Sequence, residues 1–210
     1  MPDAVIIGGG GHARVLAEVL ARLGYGVLGF TAPTSTDLDR RLPYLGTDDQ
    51  FISRLDPNRV VAILGIGKTR CHDERLKLMD RLERAGLQFP AIVASSSTVH
   101  SDVVLREGSV VMDGAVVATG SQLGRGCIVN TNATIDHDCR IGDGVHVAPG
   151  ATISGDVEVG DGCMIGAGAT IIHSVRIGND CLIGAGATVV GDIDQAGVYV
   201  GTPARRRTPS

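Results

Sequence analysis

The chain has 210 residues, a formal net charge of −4, no tryptophan, 3% aromatic residues and 30 glycines. The lack of a basic excess argues against nucleic acid as a principal partner, and no run approaches the ~18 apolar residues of a membrane span. With so few large side chains, the core must be built from small aliphatic ones in a regular lattice, which is the composition of a repeat protein.

The first apolar run, "AVII", is four residues long. No basic region precedes it, so a secretory leader is not expected and the cytoplasm is the expected compartment. Five cysteines would stay reduced there, and their spacing forms neither a CxxC pair nor a zinc knuckle.

Residues 3–7 (DAVII) predict a strand that runs into a glycine-rich turn. Residues 12–24 follow as a helix, with Val15, Leu16, Val19, Leu20 and Leu23 at helical spacing and Gly24 as the stop. YGVLGF (25–30) and VVAILGIG (60–67) are a second and third strand. Residues 70–86 form a second amphipathic helix that takes in Cys71, and QFPAIV (88–93) a closing strand. Strands alternating with helices predict an α/β N-terminal domain, a small Rossmann-like parallel sheet with helices on its faces.

From Val99 the helical signal stops and a period of six begins. Val99, Leu105, Val111 and every sixth residue to Val189 are aliphatic, sixteen hexads without insertion. The fifth place is small or aliphatic as well, from Val103 and Ser109 to Ile193, and holds Cys127, Cys139, Cys163 and Cys181. First and fifth places lie two apart across each hexad boundary, so both point to one side of an extended strand. The other places are rich in Gly, Asp, Asn and Thr, as corners require. Each hexad is thus a short strand plus a corner, and three hexads close one triangular coil of 18 residues. Coils stacked at ~4.8 Å make an all-β parallel β-helix about 25 Å tall, with the four cysteines as small inward-facing residues. The expected organisation is 1–95 as a nucleotide-binding α/β domain, 96–195 as the β-helix and 196–210 as a C-terminal tail.

His137 occupies the third place of its hexad, beside a corner and outward by the count that buries the cysteines. Asp136 and Asp138 flank it. An outward imidazole titrating near pH ~6.5 can accept a proton at neutral pH, and a neighbouring carboxylate can hold its tautomer. One coil later the same column carries Gly155, and two coils later His173. Two coils separate the histidines by about 10 Å, far beyond Zn–N bonds of ~2.0–2.1 Å, so no metal is expected. At the other end, the glycine-rich turn (Gly8, Gly10, Gly11, His12) follows a strand and opens a helix, where backbone amides can cradle phosphate. A dinucleotide site would also want an acid closing the second strand. "GFTAPT" stands there, which argues against NAD; the resemblance set out below implies a nucleotide-linked sugar instead, with Gly10, His12, Gly67 and Lys68 near its diphosphate.

The repeat resembles the left-handed parallel β-helix of the hexapeptide acyltransferases, and the handedness comes from that resemblance alone. The general rule for parallel crossovers gives the opposite hand. The marks "IIGGGGHARV", "GIGKTR", "NTNATIDHDCRIGDGVHVAPGA" and "VYVGTPARR" are similar to those of bacterial sugar-nucleotide N-acetyltransferases of the perosamine and bacillosamine type, and of sialic acid O-acetyltransferases. The resemblance implies acetyl-CoA as co-substrate and a nucleotide-linked amino sugar as acceptor, such as a 4-amino-4,6-dideoxy sugar of surface polysaccharide synthesis. It also implies a homotrimer with active sites between subunits.

Carried onto this chain, the resemblance makes His137 the base and Asp138, usually glutamate in relatives, its orienting acid. It places the Gly155 amide at the thioester carbonyl, and Asn130 and His146 near the thiol end of CoA or the sugar. Gly201, Pro203, Ala204, Arg205 and Arg206 become the CoA-binding end, where guanidinium suits phosphate. The alternatives are O-acetylation of sialic acid and, more remotely, a γ-type carbonic anhydrase or a non-catalytic scaffold. The carbonic anhydrase lacks its third ligand, since Gly178 stands in that place.

Overall fold

The structure, a computed structural model, describes residues 2–53, 60–68 and 74–207. It divides into one unit of Met1–Gly67 with Glu74–Pro90 and another of Lys68–Asp73 with Ala91–Ser210.

In the first unit Ala4, Val5, Ile6 and Ile7 are at most 1% exposed, because β1 (Asp3–Ile7) is the centre of its sheet. It pairs in parallel with β2 (Gly26–Thr31) on one side and β3 (Val60–Leu64) on the other. A strand covered on both faces reads as a continuous apolar run, as this one does. Between β1 and β2 runs α1 (Gly11–Arg22), which buries Ala13, Leu16, Val19 and Leu20 and hands over at Gly24 with φ +79°. A short α2 (Asp48–Ile52), closed by a capping box between Thr47 and Gln50, was not foreseen. The second predicted helix is α3 (Glu74–Arg84), and its expected first turn at 70–73, with Cys71, lies outside the described residues.

The closing strand QFPAIV is corrected. Gln88 bridges Val61 in the first unit, whereas Ile92–Val93 pairs with Val110–Val111 in the second. Pro90 separates the two, since it has no N–H for a ladder. Beyond it the Ile92 N–H donates to Ser109 O and the Ala94 N–H to Val111 O. The β-helix therefore begins one strand earlier than Val99.

The second unit is that β-helix, with three sheets of eight, six and five strands, all parallel except the last strand of the first sheet. Each strand pairs with the one 18 residues on, as in Ile128↔His146, Thr134↔Thr152 and Arg140↔Glu158. From Val111 to Val189 every first-place residue is buried, and so is every fifth-place residue from Ser109 to Ile193. Ser109 and Ser121 stand inside at 0% exposure because their hydroxyls donate to Gly124 O and Asp136 O and accept the N–H of Cys127 and Cys139. The cysteines are free and buried. All four thiols donate to main-chain carbonyls, those of Cys127, Cys139, Cys163 and Cys181 to Gly142, Ser154, Gly178 and Gln195.

Corners repeat a second motif. A side-chain oxygen of Asn132, Asp143, Asp161 or Asn179 lies where a Cβ would stand on Gly114, Gly124, Gly142 or Gly160, one coil below. A corner acid or amide is thus seated on a missing side chain.

The regular count ends at Val189. Ile193 bridges Ile177, and Cys181 pairs with Gly197, so both spacings are 16 rather than 18. The last corner is cut by two residues, which corrects the expectation of sixteen unbroken hexads. The tail is no separate piece either. Gly197–Val200 extends the eight-stranded sheet in parallel, and Arg205–Arg206 turns back antiparallel on it.

Ile153 is 0% exposed, so Ile153→Ala should cost about 2–5 kcal/mol by denaturant unfolding. Thr152→Ala, on the exposed side of the same strand, should stay within about 0.5 kcal/mol. Equal effects would refute the inside–outside count.

Candidate active site

The corner at 136–138 is shaped by its own side chains. Asp136 Oδ1 accepts the His137 N–H at 2.8 Å, and Asp138 sits at φ +59°, a left-handed position that Asp tolerates. That backbone turns the short carboxylate back, so that Asp138 Oδ2 lies 2.9 Å from His137 Nδ1. A carboxylate only accepts, so Nδ1 carries the proton and Nε2 holds the lone pair. Both side chains are more than half exposed. The imidazole pKa is raised, first by the hydrogen bond to Asp138 and further by the charges of Asp136, Asp138 and Asp156, against a smaller desolvation effect.

Gly155 is what lets the ring lie as it does. A Cβ there would stand 2.5 Å from His137 Nε2 and 2.6 Å from Cε1. The two strands' coils are joined at this corner by the Asp156 N–H donating to His137 O. Gly155 O accepts from the Ser174 N–H, but among the described residues none accepts the Gly155 N–H. The Nε2 lone pair thus lies against a residue whose amide has no acceptor among the described residues. One group can take a proton while the other faces a developing oxyanion.

Other expected residues fall into three places. Asn130 Nδ2 donates to His146 Nε2 at 3.0 Å, and His146 Nδ1 donates to Lys68 O at 2.9 Å. His146 is only 7% exposed, and both ring nitrogens are engaged. Lys68 is redirected: it is 4% exposed and its ammonium donates to Gly144 O and Gly162 O at 2.9 and 2.8 Å. It pins itself to two successive coils rather than presenting a charge to a diphosphate. This Asn130–His146–Lys68 network has no signature in the sequence, because it joins residues up to 78 apart without periodicity.

In the first unit Gly8, Gly10, Gly11, His12 and Gly67 do come together. A Cβ on Gly8 would strike Ile66, and one on Gly67 would touch His12. Gly10 caps α1 with no side-chain partner and is open on its outer side. Thr36 Oγ1 donates to Gly9 O at 2.9 Å and fixes the turn.

Gly201, Ala204, Arg205 and Arg206 gather at the shortened last corner, where Thr188 O accepts the Ala204 N–H and Gly201 O the Thr188 N–H. Pro203 follows a cis peptide there. The missing two residues leave a cavity of about 330 Å³, lined by Gly191, Asp192, Tyr199, Arg205 and Arg206 among others. It opens on the same corner as His137, three coils or about 14 Å further on. Arg206 spends its guanidinium on Gln195 and Ala196 O, whereas Arg205 reaches only the adjacent Ala204 O. A larger groove of about 590 Å³ follows the sheet that starts just after His137, along Arg140, Gly142, Glu158 and Arg176. His173 is exposed, and no group of three His, Cys, Asp or Glu among the described residues is arranged to hold a metal ion.

Fold and corner together define a hexapeptide-repeat transferase. Residues 120–155 and 156–191 match the family described as bacterial transferase hexapeptide (six repeats), and residues 3–82 match the PglD N-terminal domain. Comparison with curated proteins gives no match. Among solved structures, the acetyltransferase domain of PglB from Neisseria gonorrhoeae is 34% identical with a TM-score of 0.92, covering 99% of this chain and 100% of that one. The same domain is solved in complex with acetyl coenzyme A. PerB from Caulobacter crescentus, in complex with CoA and GDP-perosamine, is 33% identical with a TM-score of 0.90, over 99% of this chain and 98% of that one. WeeI from Acinetobacter baumannii, 24% identical with a TM-score of 0.85, shares the fold. The chain belongs to the family of hexapeptide-repeat acetyltransferases with a PglD-type N-terminal domain. The expected left-handed coil holds with it.

An NMR titration should place the His137 ring midpoint above the 6.5 of an unperturbed imidazole. Asp138→Asn removes the leading cause of the rise and should lower the midpoint. An unchanged midpoint would mean that the hydrogen bond does not form in solution.

Proposed function

We propose that this protein transfers the acetyl group of acetyl-CoA to the amino group of a nucleotide-linked amino sugar, the 4-amino-4,6-dideoxy class being the best fit. The observation that carries this reading is the His137 lone pair beside the unused Gly155 N–H. The amine attacks the thioester carbon, and His137 Nε2 takes the proton that the new C–N bond releases. The carbonyl oxygen gains negative charge facing the Gly155 N–H. The tetrahedral intermediate then expels the CoA thiolate, which collects the proton from His137. Asp138 holds Nδ1–H throughout and stabilises the imidazolium.

Arg205 at the shortened last corner suits a CoA phosphate, and the Gly8–His12 turn suits the acceptor's diphosphate. Two relatives at 33–34% identity support both ligands, one solved with acetyl coenzyme A and one with CoA and GDP-perosamine. A homotrimer, with the exposed corner completed by a neighbouring prism, and a cytoplasmic role in surface polysaccharide or O-antigen synthesis complete the proposal.

The test is thiol release from acetyl-CoA with GDP- and UDP-linked 4-amino-4,6-dideoxy sugars and free sialic acid as acceptors. Release with an amino sugar, cut by ~10² or more in His137→Ala, is expected. Release with sialic acid alone would move the activity to O-acetylation, and an unimpaired His137→Ala would overturn the assignment of the base. Sedimentation should give three copies of the 21.7 kDa chain; a monomer at assay concentration would refute the trimer.

A further inference from the structure

His137 and Asp138 are one coil above a turn that no catalytic step uses. A Cβ on Gly120 would fall onto Asp138 Oδ1 and lie 3.3 Å from its Cγ. One carboxylate oxygen of Asp138 therefore rests on Gly120 while the other holds His137 Nδ1. This is the corner motif of Asn132 over Gly114 and Asp143 over Gly124, here applied to the residue that orients the base.

The seat is itself tied from beneath. Asp102 Oδ2 accepts from Thr119 Oγ1 at 2.6 Å and from the Gly120 N–H at 3.0 Å. These bonds, the Thr119 hydroxyl first, keep the Asp102 carboxyl below its usual range. The Thr119 N–H donates to His100 Nδ1, and Thr119 O accepts the Asp138 N–H at 2.9 Å. Main chain and side chain of Asp138 are thus both set by residues 119–120. A glutamate in place of Asp138 would carry one more methylene and could not rest on Gly120 with the same reach. The pairing suits an aspartate.

We propose that Gly120 is a positioning residue for the base: its missing side chain is the seat that aims Asp138 at His137. The proposal rests on the acetyl-transfer reading for its effect on rate, though not for its effect on the ring. The charged groups facing the ring are Asp136, Asp138 and Asp156, with Asp102 and His100 beneath the seat. Gly120 carries no charge, so any change on substituting it acts through position.

The experiment compares Gly120→Ala with Gly168→Ala. Both glycines have positive φ, +74° and +64°, so alanine strains the backbone alike at both, but a Cβ on Gly168 meets nothing within 4 Å. Each variant is assayed for kcat, for the acetyl-CoA KM and for the His137 midpoint by NMR. Gly168→Ala should match wild type within about twofold. In Gly120→Ala the midpoint should fall toward 6.5, and kcat should drop about tenfold, part of the ~10²–10⁴-fold a general base supplies. The acetyl-CoA KM should hold. In an Asp138→Asn background, Gly120→Ala should change nothing further.

Should Gly120→Ala fail to fold, Gly120→Asn puts the same Cβ into the seat with a residue this chain already uses at φ 55°, at Asn132. It should shift the midpoint in the same way. A midpoint equal to wild type in the folded variant would overturn the proposal, as would equal losses in Gly120→Ala and Gly168→Ala. A shifted midpoint in a protein that acetylates none of the acceptors would leave the seat standing and sink the acetyl-transfer reading instead.

Discussion

Everything in the second unit depends on the backbone hydrogen bonds between one coil and the next, 18 residues on. They hold neighbouring coils at about 4.8 Å, so a residue's partners are fixed by counting rather than by local propensity. The interior follows first. First and fifth places fill a channel too narrow for large side chains, which is why valine, isoleucine, alanine and cysteine suffice and aromatics are scarce. Corners follow next. A side chain at a corner meets the residue 18 or 19 before it, so a glycine there becomes a socket and an acid above it becomes a fixed group. His137 stands between two such sockets, Gly120 under its carboxylate and Gly155 against its ring.

That arrangement makes the base rigid without burying it. More than half of each side chain of the pair is open to solvent, while Asp138 rests on Gly120 and the ring lies against Gly155. A water-exposed imidazole with a fixed tautomer is what proton transfer at neutral pH requires. By contrast, His146 lies inside a network with Asn130 and Lys68, and its tautomer serves the packing of that segment onto the coils.

How much of this the sequence carried depends on range and period. The β-helix was legible in large part, since a repeat of six puts every first and fifth place from Ser109 to Val189 inside, but the buried outward places Val110, Met112, Ile128, His146 and Ala148 do not follow from it. It failed where the period stopped. Nothing in GDIDQAG marks the loss of two residues after Val189, because the shortened corner uses the same Gly and Asp as the full ones. Ile92–Val93 escapes the count for a related reason: a two-residue strand has no period of its own, and only its partners, Val110 and Val111, reveal it. At the site, His137, Asp138 and Gly155 could be placed by column arithmetic. Lys68 could not, since a lysine after a glycine-rich strand end looks the same whether it meets phosphate or two main-chain carbonyls. Gly120 was hidden among 30 glycines and became distinguishable only when its neighbour one coil up was known to hold the base.

On the proposed function, one corner supplies both the base and the oxyanion donor for acetyl transfer. Its most direct test is a crystal structure of the protein with CoA and a GDP- or UDP-linked 4-amino sugar. The acceptor nitrogen should lie within hydrogen-bond reach of His137 Nε2, about 2.6–3.2 Å, with the CoA sulfur on the Gly155 side of the same corner. An acceptor amine held away from His137, or a CoA sulfur seated at another corner of the prism, would contradict the proposed function.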